Sequence, residues 1–402
     1  MTIIVSICGV IATLYTVYFI VTCFWGVLFR KKREIPVTQP THRIAAVIAA
    51  RNEAAVIGQL VGSLMAQDYP RELFDVYVIP NNCHDDTEAV ARAAGAKIMT
   101  VDGPIHTKGD VLRKAFAQLS ATGRYDAYCV FDADNLVDKG FFQATNDALA
   151  FGMEAGQGFR DSKNPFDNWI AGGFTAYFWF MDRFYCESRF RMNMSCHLNG
   201  TGIMVSDAAI RKVGWNTNTL TEDLEFTALC ALNGIKVGWM SKARIYDEQT
   251  TSFKTSCFQR RRWASGSLQC MRQYVPKLVR NGSMMSIDMT MLFTGNLMCI
   301  IGLIPAIGTA LGLLPFFIDH PWRILALVVL FAVYYAAFCA VCAVLYKWEG
   351  RLNKRAIPGI MAAPIFMASW MPCSIWACLT PPPKQWKAVR HTRGVAKPDI
   401  EE

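Results

Sequence analysis

Apolar stretches at both ends of the chain enclose a middle part in which short hydrophobic runs alternate with polar ones. No charged side chain occurs between Ile3 and Phe29, and about 20 apolar residues suffice to cross the hydrocarbon core as a helix. Residues 1–30 are therefore predicted to form an N-terminal transmembrane helix. A cleaved signal peptide is the alternative, but the stretch is longer than a typical signal core and no basic residues precede it.

The middle part, residues 31–275, shows β-rich runs that alternate with amphipathic stretches, which is typical of an α/β domain with a largely parallel sheet. The predicted strands cover residues 43–50, 74–79, 97–101 and 128–131. Helices are predicted over residues 56–65, from 85 toward 95, and over 108–119. This pattern indicates a doubly wound nucleotide-binding arrangement, in which ligands lie at the carboxyl ends of the strands.

The aromatic-rich residues 165–190 predict an interfacial helix on the membrane surface, with a buried helix of the domain as the alternative. Residues 276–380 predict transmembrane and interfacial helices: apolar stretches 289–318 and 324–346 form a hairpin around a turn at 319–321. Stretch 357–379 contains three prolines and either spans or lies in the interface. The basic tail, residues 381–402, favours a cytosolic C-terminus and hence the interfacial or re-entrant alternative.

Composition agrees with a membrane protein, because 52% of the residues are hydrophobic and the mean hydropathy is +0.21. The cluster Arg30–Arg33 follows the first apolar stretch, which predicts a cytosolic domain and an outside N-terminus. A net charge of +9 raises the possibility of nucleic-acid binding. Because the cations cluster beside apolar stretches, membrane lipids are the expected partners and nucleic acid is not.

Three short motifs carry candidate chemistry. Asp132 and Asp134 follow a predicted strand and can hold a divalent cation on a diphosphate, although such pairs are also common in turns. Glu222 and Asp223 begin a helical pattern; a carboxylate there can act as a general base, or it can simply favour the helix dipole. The segment Gln259–Trp263 contains three arginines, which fit either diphosphate oxygens or lipid headgroups.

The order and spacing of these motifs, with Ala50–Glu53 after the first strand, resemble the family 2 membrane glycosyltransferases, the group of cellulose, chitin and hyaluronan synthases. The resemblance covers residues 42–275. It implies a GT-A-type nucleotide-sugar-binding domain joined to an α-helical transmembrane region with interfacial helices. It also implies a magnesium or manganese ion held by Asp132 and Asp134.

The resemblance assigns roles residue by residue. The catalytic residues would be Asp223, as the base, and Glu222. The donor-binding residues would be Ala50, Arg51, Asn52, Glu53, Asn81, Asp85, Lys108, Asp132, Gln259 and Arg262. The acceptor-binding residues would be Trp263, Gly200, Thr201 and Gly202. One departure concerns the turn after the second strand, where the family commonly has an aspartate and this chain has Asn81 and Asn82.

The expected function is that of an inverting glycosyltransferase in the plasma membrane, using a UDP-sugar, with UDP-glucose as the best guess. The first expectation is processive synthesis of a β-linked polysaccharide on a growing glycan, with a homodimer supplying further helices for an exit channel. The alternative is a transferase that adds a single sugar to a lipid or cell-wall acceptor. A nucleotide-binding transporter or receptor is less expected, because the C-terminal apolar stretches carry almost no ionisable residues.

Overall fold

An eight-stranded mixed sheet lies at the centre of residues 44–247, in the order β3-β2-β1-β4-β7-β6-β8-β5. The computed structural model describes residues 2–318 and 321–383. The strands are β1 (Ile44–Ala50), β2 (Phe74–Pro80), β3 (Lys97–Ile98), β4 (Ala127–Phe131), β5 (Leu136–Val137), β6 (Ala155–Ser162), β7 (Ile203–Ser206) and β8 (Val237–Asp247). All four strands predicted from sequence are present, with β3 shorter than expected.

The sheet is parallel in only part of its width. Strands β3, β2, β1 and β4 are mutually parallel, as are β6 and β8. Strand β7 runs antiparallel between β4 and β6, and β5 runs antiparallel beside β8. The predicted doubly wound arrangement therefore describes the first half of the domain. Its parallel strands place the carboxyl ends of β2, β1 and β4 side by side at one edge.

Fifteen helices surround the sheet or extend from it within the described residues. In the domain they are α2 (Ile57–Met65), α3 (Thr87–Ala93), α4 (Lys108–Ala121), α5 (Phe141–Ala150), α6 (Trp169–Phe180), α7 (Glu187–Arg191), α8 (Asp207–Val213), α9 (Glu222–Leu232) and α10 (Phe253–Asn281). The helices outside it are α1 (Thr2–Phe29), α11 (Met284–Phe293), α12 (Gly295–Ile318), α13 (Pro321–Trp348), α14 (Ile357–Ala368) and α15 (Trp370–Leu379).

Helix α6 is the aromatic segment for which sequence left two interpretations, and most of its side chains are buried. On one side, Trp179 Nε1 donates to Asp161 Oδ1 of β6 over 3.1 Å. On the other, a Cβ added to Gly172 would lie only 2.7 Å from the Cα of Gly359, so the two glycines allow α6 and α14 to cross closely. Helix α6 is thus buried between β6 and α14, and its position relative to a membrane surface stays a prediction.

Among the described residues, three helical segments are long and apolar enough to cross a membrane: Ile3–Phe29, Trp322–Trp348 and Lys354–Leu379. A fourth candidate arises if α11 and the first part of α12, which meet at a 60° bend, count as one span. Helices α12 and α13 occupy the two stretches of the predicted hairpin, and residues 319 and 320 of its turn lie outside the described residues. So does most of the predicted basic tail, residues 384–402.

Buried polar contacts attach the apolar helices to the sheet domain. Near the end of α1, the backbone N–H of Gly26 donates to Ser188 Oγ over 2.9 Å. Glu349, directly after α13, accepts from Arg183 Nε at 2.7 Å and from Arg244 at 2.8 Å. The ends of α1 and α13 that are followed by basic residues therefore contact the sheet domain.

Candidate active site

The acidic pair follows directly from the buried strand β4. The backbone N–H of Asp132 donates to Thr201 Oγ1 at 3.0 Å and to Asn135 Oδ1 at 3.2 Å. Asp134, two residues on, is only 5% exposed. The loop after β4 is thereby fastened to the glycine loop, residues 199–202. The acids predicted to bind the metal and the loop predicted to bind the acceptor therefore lie side by side.

Lys108 joins three of the predicted segments. It is the first residue of α4, whose N-terminus is closed by a capping box of Thr107 and Asp110. Its ammonium donates to Asp132 Oδ1 and, over 2.8 Å, to the carbonyl oxygen of Gly200, and it lies 3.7 Å from Glu222 Oε1. Lys108 is therefore the central cation of the site.

The opposite charges of Lys108, on one side, and of Asp132 and Glu222, on the other, stabilise each other. Burial opposes the charged form of Lys108, but the carboxylates of Asp132 and Glu222 outweigh it and raise the pKa of Lys108 above its usual value. Burial likewise opposes ionisation of Asp132, yet the Lys108 ammonium holds the pKa of Asp132 below its usual value. Both groups are charged at neutral pH, and the cluster can receive a diphosphate on Lys108.

Asp223 has a different environment from Asp132. It lies in the first turn of α9, and burial, followed by the like charge of Glu222, raises the pKa of Asp223 to about 7. Gly200, at φ +91°, lies beside it: an added Cβ would be in ordinary van der Waals contact with Asp223 Oδ2, at 3.5 Å. A carboxylate with a pKa near the working pH, beside a loop without side-chain bulk, suits proton removal from a bound hydroxyl.

Helix α10 contains the Gln259–Trp263 segment, and neighbouring residues of this segment contact different parts of the structure. Arg262 Nη1 donates to the carbonyl oxygen of Leu220 over 3.2 Å, in the loop just before Glu222 and Asp223. The Trp263 ring packs among the rings of Phe174, Phe178, Phe366 and Trp370, with centroids about 6 Å away for Phe174 and Trp370. We call these five residues the aromatic cluster. Gln259 lies one turn earlier on α10 and is partly exposed.

The remaining predicted donor residues form a second group at the carboxyl ends of β1 and β2. The carbonyl oxygen of Ala50 accepts from the N–H of Asn81 at 2.9 Å. Asn52, at φ +57°, accepts from the N–H of His84 at 2.8 Å, and Asp85 Oδ2 accepts from the N–H of Ala54 at 3.1 Å. Asp85 thus holds the two loops together, and Arg51 and Glu53 lie within them. A contact to a nucleobase stays a prediction.

Sequence reasoning missed a buried network behind the acidic pair. Asp247 accepts from Arg160 Nε at 3.0 Å and from Asn135 Nδ2 at 3.1 Å. Arg160 also donates to the carbonyl oxygen of Asn199 at 3.0 Å, and its guanidinium lies 3.9 Å from the centroid of the Phe178 ring. The network therefore supports both the acidic loop and the glycine loop, and it reaches the aromatic cluster. Its sequence signal was an arginine within an otherwise buried strand, since buried charges require partners.

The residues present fit a magnesium or manganese ion on a diphosphate. Asp132 and Asp134 offer hard carboxylate oxygens, the ligands that these ions prefer. In the described part of the chain, no group of three or more His, Cys, Asp or Glu side chains is placed to hold a metal. The two carboxylates would need further oxygens from a bound diphosphate and water to complete the coordination, so metal and donor would bind together.

Comparisons with known proteins agree with this geometry. Residues 40–266 match the family described as "Glycosyltransferase like family 2". Over 248 residues the chain is 29% identical to a beta-monoglucosyldiacylglycerol synthase of Synechocystis sp., covering 59% of this chain and 50% of the relative. Over 254 residues it is 23% identical to the probable glycosyltransferase YdaM of Bacillus subtilis, covering 59% and 58%. The chain thus spans about half the length of the curated relatives it matches.

Among solved structures, the fold is similar to the mannosyltransferase PcManGT from Pyrobaculum calidifontis, which was solved in complex with GDP-Man and Mn2+. The TM-score is 0.57 at 15% identity, and the match covers 90% of this chain and 98% of the other. The likeness extends beyond the sheet to the helical C-terminal part. It confirms the predicted GT-A-like fold with its attached apolar helices.

Proposed function

The chain belongs to glycosyltransferase like family 2, and we propose that it transfers one sugar, with glucose as the first candidate, from a UDP-sugar to the hydroxyl group of a membrane lipid. The processive polymer synthesis expected first from sequence becomes the second candidate. The relatives named above favour this order, because the Synechocystis relative is a beta-monoglucosyldiacylglycerol synthase.

The main support for the proposal is that two consecutive residues, Arg262 and Trp263, contact different parts of the structure. Arg262 contacts the loop that precedes Asp223, whereas Trp263 packs in the aromatic cluster with Phe366 and Trp370 of α14 and α15. One turn of α10 therefore contacts both the candidate site, through Arg262, and the apolar helices α14 and α15, through Trp263. An acceptor with an apolar body and a hydroxyl end suits this continuity, because its body can stay among apolar helices while its hydroxyl reaches Asp223.

Asp223 is proposed to take the proton from the acceptor hydroxyl as the oxygen attacks the anomeric carbon. One displacement inverts that carbon and gives a β-linkage from an α-linked donor. Lys108 and Arg262 provide positive charge for the departing nucleoside diphosphate, a stabilisation that counts most where charge develops. Asp132 and Asp134 would hold the magnesium or manganese ion, which supplies Lewis-acid neutralisation of the diphosphate when bound.

The glycine loop and the second group of donor residues complete the proposed site. Gly200 and Gly202 both have positive φ, at +91° and +62°, and leave room beside Asp223 for the acceptor hydroxyl; Thr201 fixes the loop to Asp132. Ala50, Arg51, Asn52, Glu53, Asn81 and Asp85 border the carboxyl ends of β1 and β2 and are proposed to receive the uridine, with Gln259 near the diphosphate.

In the membrane, the sheet domain is proposed to lie on the cytosolic face and the N-terminus outside. Helices α14 and α15 are proposed to lie in the interface rather than to cross it, because contacts near both ends join them to the domain. Gly359 packs on Gly172 near the start, and Thr380 Oγ1 accepts from Arg261 at 2.8 Å just after the end. Transfer to a lipid does not require the exit channel for which a homodimer was expected.

The test is acceptor-dependent release of nucleoside diphosphate. The purified protein in nanodiscs would receive Mn²⁺ and a panel of UDP-sugars, with and without diacylglycerol in the bilayer. The proposal expects turnover of one UDP-sugar only when diacylglycerol or another hydroxyl-bearing lipid is present. Equal turnover without any added lipid acceptor, accompanied by a glycosidase-digestible polymer, would establish the processive candidate instead.

A further inference from the structure

A cavity of about 270 Å³ lies between α10 and the end of α15, apart from the residues assigned to sugar transfer. Ser265, Gln269 and Arg272 line it from α10, and Leu379 and Thr380 line it from the other side. We call it the α10–α15 cavity. The wall formed by α10 is polar and cationic, whereas the opposite wall includes the end of the apolar helix α15. Such a lining is expected of a site at the level of lipid headgroups.

Within the part of the chain that the structure describes, Ser265 and Arg272 of the α10–α15 cavity donate to no acceptor. Ser265 is 3% exposed, and its hydroxyl has no hydrogen-bond partner among the described residues. Arg272 is exposed, and the described part of the chain gives its guanidinium neither a salt bridge nor a hydrogen bond. A buried hydroxyl without a partner is costly, and a guanidinium pairs best with phosphate or carboxylate oxygens. The chemistry that satisfies both donors is an anion with several oxygens.

A short chain of hydrogen bonds links the α10–α15 cavity to the proposed active site. Gln269 Oε1 accepts from the backbone N–H of Leu220 at 3.0 Å. The carbonyl oxygen of the same Leu220 accepts from Arg262 at 3.2 Å. Leu220 lies two residues before Glu222 and three before Asp223. A molecule that fixes Gln269 in the cavity therefore also fixes the loop that carries the proposed base.

We infer that the α10–α15 cavity binds the phosphate of an anionic phospholipid headgroup and that its occupation orders the loop before Asp223, so that the enzyme works faster in an anionic membrane. A headgroup is favoured over free phosphate because the apolar helix α15 leads directly to the cavity. The inference goes beyond the proposed reaction, since this lipid is neither donor nor acceptor.

Lipid binding is measured first, because it does not depend on activity. Native mass spectrometry of the detergent-purified chain with added phosphatidylglycerol should show a bound lipid, and Arg272→Gln should weaken that binding about fivefold, the loss expected for one cation at a headgroup. Arg280→Gln, which removes an exposed cation farther along the same helix, is the matched control and should bind like the unaltered chain. Equal binding by Arg272→Gln and the unaltered chain would overturn the site.

The second arm measures glycosylated diacylglycerol formed in phosphatidylcholine nanodiscs that all contain diacylglycerol, with and without phosphatidylglycerol, so that any sugar transferred to phosphatidylglycerol itself is not counted. The unaltered chain and Arg280→Gln should be stimulated severalfold, whereas Arg272→Gln should keep its basal rate and lose the stimulation. Gln269→Met should bind the lipid and respond less, because the contact to Leu220 is gone. Equal loss in both arginine variants would indicate general surface charge and refute the site, while the same stimulation by inorganic phosphate would assign it to free phosphate.

If no nanodisc shows sugar transfer but phosphatidylglycerol still binds through Arg272, the proposed function fails and the lipid site stands. If transfer proceeds and phosphatidylglycerol neither binds nor stimulates, the lipid site fails and the proposed function stands.

Discussion

Sugar transfer should slow steeply below neutral pH, because Asp223 must be ionised to accept a proton. Burial and the adjacent Glu222 raise the pKa of Asp223 to about 7, so its ionised fraction is lost as the pH falls through that value. With this pKa, about one tenth of the molecules carry an ionised base at about pH 6, and kcat/KM should be about tenfold below its plateau there. An ordinary aspartate, with a pKa of about 3.9, would cause no loss in that range.

Two substitutions connect this pH profile to named residues. Glu222→Gln removes the like charge and should move the acidic limb toward lower pH. Asp223→Asn removes the base while keeping the shape of the side chain, and should lower the rate about 10²–10⁴-fold, which corresponds to about 3–5.5 kcal/mol in the barrier. Donor binding, measured by calorimetry with the UDP-sugar, should persist in Asp223→Asn.

The assay is the initial rate of glycolipid formation, followed directly by mass spectrometry so that no coupling enzyme imposes its own pH dependence. Glu88→Gln, which alters an exposed carboxylate paired with Arg92, serves as the control and should leave the profile unchanged. A flat profile down to about pH 5, or an Asp223→Asn variant that transfers sugar at the unaltered rate, would refute the assignment of Asp223 as base.

Three further predictions concern other parts of the site. Trp263→Phe should raise the KM for the lipid acceptor severalfold and leave donor affinity unchanged in calorimetry, since a smaller ring retains part of the packing in the aromatic cluster; an unchanged acceptor KM would contradict this role. Asp247→Ala should lower the free energy of unfolding by about 3–5 kcal/mol in thermal denaturation, because it leaves the charge of the buried Arg160 guanidinium without its carboxylate. An unchanged free energy of unfolding would contradict this structural role of Asp247. Chelation of divalent cations should abolish turnover, and addition of Mn²⁺ or Mg²⁺ should restore it. Asp134→Asn should weaken Mn²⁺ binding in the presence of UDP. Activity that resists chelation would contradict a metal-assisted reaction.

Sequence was most informative where the candidate site residues are neighbours in the chain. Asp132 and Asp134 follow one strand, Glu222 and Asp223 begin one helix, and each motif is recognisable without tertiary structure. Hydrophobic periodicity likewise located β1, β2 and β4, because buried parallel strands read as continuous apolar runs. The contacts that bring these motifs together around Lys108 are a consequence of the fold and could only be inferred from the family resemblance.

The supporting network was not predictable, because its members are far apart in the chain. Arg160 and Asp247 meet only because β6 and β8 pair in parallel, in a register that sets Ser162 opposite Asp247. Pairing of strands that distant is fixed by the whole sheet and not by local pattern. The placement of α6 was ambiguous for another reason: an apolar helix rich in aromatic residues suits both a membrane environment and a protein interior.

The decisive measurement is the mass of the product made in nanodiscs that contain diacylglycerol, Mn²⁺ and the UDP-sugar that the chain turns over. Transfer of one sugar predicts a lipid product heavier than diacylglycerol by a single hexose residue, which disappears in Asp223→Asn. A ladder of products differing by successive hexose units, or a polymer without attached lipid, would contradict the account and identify a processive synthase.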